Sequence, residues 1–122
     1  MIELLGYDIA REQNAIALTL YWRSVAIARD DFTVFAQLIG ALNPATQSPV
    51  WAQSDAQPAH TTSHWRVGEI LIDETRIALP ENLPRGEYEI QIGMYILNTG
   101  ARLAVRAPTE RDSVSIERST YP

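Results

Sequence analysis

Two histidines four residues apart are the first feature that could do chemistry: His60 and His64, in His60-Thr61-Thr62-Ser63-His64. On a helix that spacing puts both imidazoles on one face, as in the zinc-protease signature. The signature needs a glutamate right after its first histidine. Thr61 stands there instead, Pro58 lies just upstream, and no helical period surrounds the pair. Two exposed loop histidines are expected, with no metal or other cofactor. The carboxylates Asp55, Glu69 and Asp73 flank the same stretch. With Ser63 and backbone carbonyls they could offer oxygens to calcium, which takes about six to eight, but no EF-hand spacing is present. Two of them could also serve as acid and base on a glycosidic bond. The plainer expectation is that Asp55 starts a turn, while Glu69 and Asp73 lie on the solvent side of a strand. Trp51 and Trp65 could stack on sugar rings, and Trp22 belongs in a core. Trp65, before a Val-Gly turn, is read as a plug at the end of the fold in preference to a sugar contact. The candidate ligand-binding residues are therefore Trp65, Trp51, Asp55, His60, His64, Glu69 and Asp73, with no catalytic residue among them.

Composition removes other chemistries. The 122 residues are 46% hydrophobic and 20% charged, with a net charge of −5. That suits one folded domain and argues against disorder. An acidic balance makes a broad nucleic-acid face improbable. No cysteine is present, which excludes disulfides, thiolate metal sites and a thiol nucleophile. All ten basic residues are arginine, so there is no Schiff-base or phosphate-loop lysine. No serine sits in a Gly-x-Ser-x-Gly turn. No run approaches the roughly 18 apolar residues of a membrane helix. Met1 to Asp8 has no basic start and is too polar for a signal peptide, so a soluble chain without a leader is expected.

The elements that must position these residues are strands. Residues 15–23 place Ile16, Leu18, Leu20 and Trp22 on one face at period two, and residues 32–39 do the same with Phe32, Val34, Ala36 and Leu38. Residues 87–97 alternate Tyr88, Ile90, Ile92, Met94 and Ile96 against Glu87, Glu89 and Gln91. Further strands are expected over 2–8, 50–54, 69–79, 101–106 and 114–117. In 69–79, Ile70, Ile72, Ile77 and Leu79 are expected inward; in 101–106, Arg102 and Arg106 share a solvated face. Residues 40–49, with Asn43-Pro44 and Ser48-Pro49, read as a loop, as does the aperiodic stretch 55–68. Pro108 to Asp112 breaks the last pair of strands. Leu83-Pro84-Arg85-Gly86-Glu87-Tyr88 resembles a tyrosine corner, in which a tyrosine early in a strand bonds back to the backbone upstream. The expected fold is an all-β, antiparallel Greek-key sandwich of about seven or eight strands, immunoglobulin- or fibronectin-III-like, in a single domain over 1–122.

An ordered set of short pieces goes further. Gly6-Tyr7-Asp8 is followed by Leu18-Thr19-Leu20-Tyr21-Trp22, Phe32-Thr33-Val34-Phe35 and Gln53-Ser54-Asp55-x-x-Pro58. Then come Thr62-Ser63-x-Trp65-x-x-Gly68-Glu69, Asp73, Leu83-Pro84-x-Gly86-x-Tyr88, Gly93-Met94-Tyr95 and Thr99-Gly100-x-Arg102-Leu103. Over residues 4 to about 106 the chain resembles the soluble C-terminal domain that follows the membrane helices of bacterial glycosyltransferases of the protein-mannosyltransferase type. The resemblance implies an extracytoplasmic β-sandwich appended to a transferase that uses a lipid-linked sugar. The catalytic carboxylates of that family lie in the membrane portion, which this chain does not contain, so none carries over. The implied role is a noncatalytic accessory one: binding glycan or acceptor, or packing on the membrane domain. The alternative is a structural or protein-interaction module without a small-molecule ligand. A sugar binder should expose an aromatic platform beside polar groups. An interaction module should expose an apolar patch or a bare edge strand. An enzyme should show a pocket of converging carboxylates with perturbed pKa values.

Overall fold

The computed structural model describes residues 2–107 and 110–121. They form two β-sheets packed face to face. Long strands are β1 (Ile2–Arg11), β2 (Ala15–Ser24), β3 (Thr33–Asn43), β4 (Ser48–Ala56), β5 (Ile70–Ala78), β6 (Gly86–Tyr95) and β10 (Val114–Tyr121). Two-residue strands are β7 (Arg102–Leu103), β8 (Val105–Arg106) and β9 (Glu110–Arg111). The first sheet runs β5-β2-β1-β8-β9 and the second β10-β6-β3-β4, with β7 added to β6. The chain changes sheet between β2 and β3, β4 and β5, β5 and β6, β7 and β8, and β9 and β10. This is the expected all-β Greek-key sandwich.

The period-two stripes fill the space between the sheets. Ile16, Leu18, Leu20 and Trp22 of β2 meet Val34, Ala36 and Leu38 of β3 and Tyr88, Ile90, Ile92 and Met94 of β6, all buried. Phe32 is buried too, although β3 begins one residue later. The tyrosine corner is present: the Tyr88 hydroxyl donates to the Pro84 carbonyl at 2.6 Å. Gly40 serves the same ring, since a Cβ there would stand 2.6 Å from the Tyr88 ring carbons.

Several local expectations need correcting. The loop over 40–49 is mostly strand: β3 runs on to Asn43, pairs it with Ser48, and turns within four residues, with Gln47 in the left-handed region. The Asn43-Pro44 and Ser48-Pro49 turn signals mark only a tight turn, and the strand residues beside them lack a clean period-two alternation. The single strand expected over 101–106 is two: β7 pairs with β6 in the second sheet, and β8 pairs parallel with β1 in the first. Arg102 and Arg106 accordingly lie on different sheets. β10 extends four residues beyond Glu117, because Tyr121 is an inward anchor. Of the break expected over 108–112, residues 108 and 109 lie outside the described part, while Glu110–Arg111 is strand β9, antiparallel to β8.

A further correction concerns β5. Its inward residues are Leu71, Asp73, Thr75 and Ile77, while Ile70 is 59% and Ile72 66% exposed. The two isoleucines expected inward thus face solvent, and the aspartate expected outward is 9% exposed. The reason lies in Trp22. A buried indole N–H needs an acceptor, and Trp22 Nε1–H donates to Asp73 Oδ2 at 3.3 Å. That bond and Ile77, wholly buried opposite Ile16, fix the phase of the strand.

Candidate functional site

The sequence candidates do not gather at one place. In the stretch after β4 the chain makes one turn of 3-10 helix, Thr62–His64. Thr62 is its anchor: its hydroxyl donates to the Asp30 carbonyl at 2.7 Å and accepts the Phe32 N–H at 2.9 Å. Trp65, only 3% exposed, donates its indole N–H to the His60 carbonyl at 2.6 Å. It closes the end of the core and offers no free ring face to a sugar. His60 and His64 are exposed, with ring centres 6.2 Å apart. His64 Nδ1 lies 2.9 Å from the Thr61 hydroxyl, and His60 Nε2 lies 3.2 Å from the His64 carbonyl. Neighbouring Asp31 accepts the Ser63 N–H at 3.0 Å, and hydrogen bonds from the Ser63 hydroxyl and this N–H hold its carboxyl below the usual range. Glu69 accepts the Arg66 N–H at 3.1 Å and so closes the turn before β5. Among the described residues, no three histidine, aspartate or glutamate side chains converge as metal ligands would.

Trp51 is half-buried on β4. It packs edge-on against Tyr88 and donates its N–H to the Ala41 carbonyl at 2.7 Å. Asp55, expected to start a turn, instead lies within β4 opposite Phe35 and points to the outer side of the second sheet. There it accepts from the Gln53 amide at 2.7 Å and raises Tyr95, whose hydroxyl is pushed above its ordinary pKa first by burial and then by the Asp55 charge. With Gln37 and Arg102 these residues rim a shallow depression of about 240 Å³ over Phe35. The Arg102 guanidinium lies 4.9 Å from the Phe35 ring centre. Gln37, Gln53, Tyr95 and Arg102 are not among the candidate site residues that the sequence suggests. The period-two complement of the core stripe in β3, β4 and β6 would have pointed to the first three.

Asp73 stands apart from Asp55, on the inner side of the first sheet. It lines a cleft of about 590 Å³ between β4 and β5, together with Val34, Ala56, Gln57, Ile72, Glu74 and Thr75. The cleft exists because the inward residues of β4 are small, Ala52, Ser54 and Ala56, and β4 and β5 are edge strands without backbone pairing between them. One side-chain contact ties the edges: the Ser54 and Thr75 hydroxyls are 3.1 Å apart. Burial pushes the Asp73 carboxyl above its ordinary pKa, and the Trp22 hydrogen bond only partly offsets this. A perturbed carboxylate in a cleft marks a candidate site, although a second converging acid is missing: Glu74 follows it on the opposite side of the strand.

A third surface is apolar. Ile70 and Ile72 lie on the outer side of β5, opposite Arg23 and Tyr21 of β2. Val67 (57% exposed) is in the turn just before, which is pinned to the same end of the sheet by Gly68 N–H donating to the Ser24 carbonyl at 2.7 Å. Ile27, 74% exposed, follows Ser24 by three residues.

Comparison with known proteins adds the fold and little more. No family model and no curated protein matches the chain. Among solved structures it is similar to wild-type OgpA from Akkermansia muciniphila, with a TM-score of 0.55 and 9% identity, covering 98% of this chain and 30% of that one. The chain therefore spans under a third of that protein, and a likeness at this identity speaks for the β-sandwich alone. The comparisons do not reach the glycosyltransferase resemblance. Among the described residues no helix is long and apolar enough to cross a membrane.

Proposed function

We propose that this chain is a noncatalytic accessory β-sandwich that docks on a neighbouring protein domain through the Ile70–Ile72 end of its first sheet. The observation that carries the reading is the outward placement of both isoleucines on an edge strand, with exposed Val67 in the turn that leads into it. Large apolar side chains grouped on a rim of polar residues mark interaction surfaces, whereas single ones need no explanation. The sequence resemblance supplies the neighbour: the membrane portion of a bacterial glycosyltransferase, on the extracytoplasmic side.

A site-specific photocrosslinker at Glu74, two residues from Ile72 on the same outer side, tests this in the cells that make the chain. Crosslinks to a polytopic membrane glycosyltransferase are expected from position 74 and not from Glu87 on the outer side of the second sheet. Equal crosslinking from both positions, or none from 74, overturns the reading.

A second reading, glycan contact, is favoured by one observation. Asp55, Gln53, Gln37, Tyr95 and Arg102 surround a shallow depression with the mixed donors and acceptors that sugar hydroxyls use. On a glycan array, a signal that Asp55→Ala removes would favour it over docking.

A further inference from the structure

We propose that the cleft between β4 and β5 is a site for a basic group, an ammonium or guanidinium on an alkyl stem, paired with the Asp73 carboxylate. Four observations converge on it. Asp73 is 9% exposed and lines the cleft, and the only hydrogen bond to its carboxylate among the described residues is the 3.3 Å one that Oδ2 accepts from Trp22. An ionised carboxylate has about four acceptor positions, so most of its capacity is unused. The charge is one-sided: Asp73 faces inward, Glu74 reaches the lining only from the outer side of β5, and no arginine is among the described lining residues. The walls are Val34, Ala56 and Ala59, which suit an alkyl stem, and the roughly 590 Å³ volume falls in the range of small-ligand pockets. A metal ion is the poorer occupant, because no third carboxylate or imidazole converges there among the described residues. A buried charge paired by an incoming opposite charge is also the arrangement that gives an interface a dominant anchor.

The inference deepens the docking reading and rests on it only for the source of the basic group. Ile72 belongs both to the exposed apolar end and to the lining of the cleft. A domain seated on Ile70 and Ile72 can therefore pass an arginine or lysine side chain inward to Asp73.

The test is an amide NMR titration of the full chain with three probes: N-acetyl-arginine amide, its neutral isostere N-acetyl-citrulline amide, and putrescine. The arginine probe is expected to shift Ala56, Gln57 and Asp73 to Thr75 saturably. Citrulline should bind about tenfold more weakly, and Asp73→Asn should weaken the arginine probe about tenfold while leaving the fold intact. Tighter binding of the guanidinium probe assigns the group to a protein side chain; tighter putrescine binding assigns it to a free amine. Equal binding of arginine and citrulline, unchanged binding by Asp73→Asn, or shifts away from the cleft overturn the proposal. The crosslinking reads contact with a partner domain and the titration of the unmodified chain reads binding at Asp73, so the two readings fail separately.

Discussion

The outer sides of the two sheets differ in how they treat apolar residues. On the second sheet Phe35 points outward yet is 3% exposed, because Tyr95 lies beside it and Arg102 of the β7 arm folds over it. On the first sheet Ile70 and Ile72 point outward and stay open. The chain covers its own surplus on one side and leaves it bare on the other. Phe35 is thus a second packing layer that belongs to folding, whereas the isoleucines add little to the isolated fold and are free to serve a partner.

The largest effect should come from testing the phase of β5 itself. Ile77 is wholly buried and faces inward, so Ile77→Ala should cost about 3 kcal/mol, read as a fall in the urea midpoint. A cost near zero would mean that β5 packs in the opposite phase, with Ile70 and Ile72 inward.

Next is the covered side. Gly93 lets the Phe35 ring lie flat on the second sheet, and an added Cβ would overlap that ring and approach the Asp112 carbonyl at 2.9 Å. Gly93→Ala should destabilise by about 2 kcal/mol through overpacking, lowering the thermal midpoint by roughly 10 °C. If the variant is as stable as the parent, Phe35 is a mobile flap and the contrast between the two outer sides dissolves.

This contrast also shows what sequence could carry. The stripes of β2, β3 and β6, the sandwich they imply, and the Tyr88 corner are legible, because a period of two with one buried side leaves no choice of register. β5 is not legible in that way. Ile70-Leu71-Ile72 offers apolar residues to both sides, and the Trp22 indole arriving from β2, together with buried Ile77, decides that Asp73 goes inward. Trp65 could be read as a plug from its place before a turn, but its bond to the His60 carbonyl fixes it only in three dimensions. The cleft was invisible for the same reason: Asp55, Glu69 and Asp73 are near in sequence, and strand alternation sends Asp55 and Asp73 to opposite sides of different sheets.

Asp73 gives a smaller effect with a definite sign. Its folded pKa is raised by burial, so the folded state holds the proton more tightly than the unfolded chain does. Its contribution favours folding below the ordinary carboxylate range and is lost as pH rises through the raised folded value. Asn keeps an oxygen for the Trp22 N–H and removes the charge. Asp73→Asn should therefore gain about 1 kcal/mol near neutral pH, and the gain should shrink as the solution is acidified toward the ordinary carboxylate range. Urea denaturation of both proteins across that interval checks it. A loss of stability at neutral pH would show that the charge strengthens the indole bond by more than its burial costs.

The smallest stability effect is the one that separates folding from function. Replacing both Ile70 and Ile72 by threonine keeps β-branched side chains on an edge strand and removes apolar surface that is already in water. The isolated chain should change by less than about 0.5 kcal/mol, since surface substitutions away from buried contacts usually do. Crosslinking from position 74 should nevertheless disappear, because the surface a partner would cover has become polar. Should the double variant instead lose stability on the scale of Ile77→Ala, the isoleucines are part of the core. The first sheet would then resemble the second in covering its own apolar residues, and no docking surface would be left to explain.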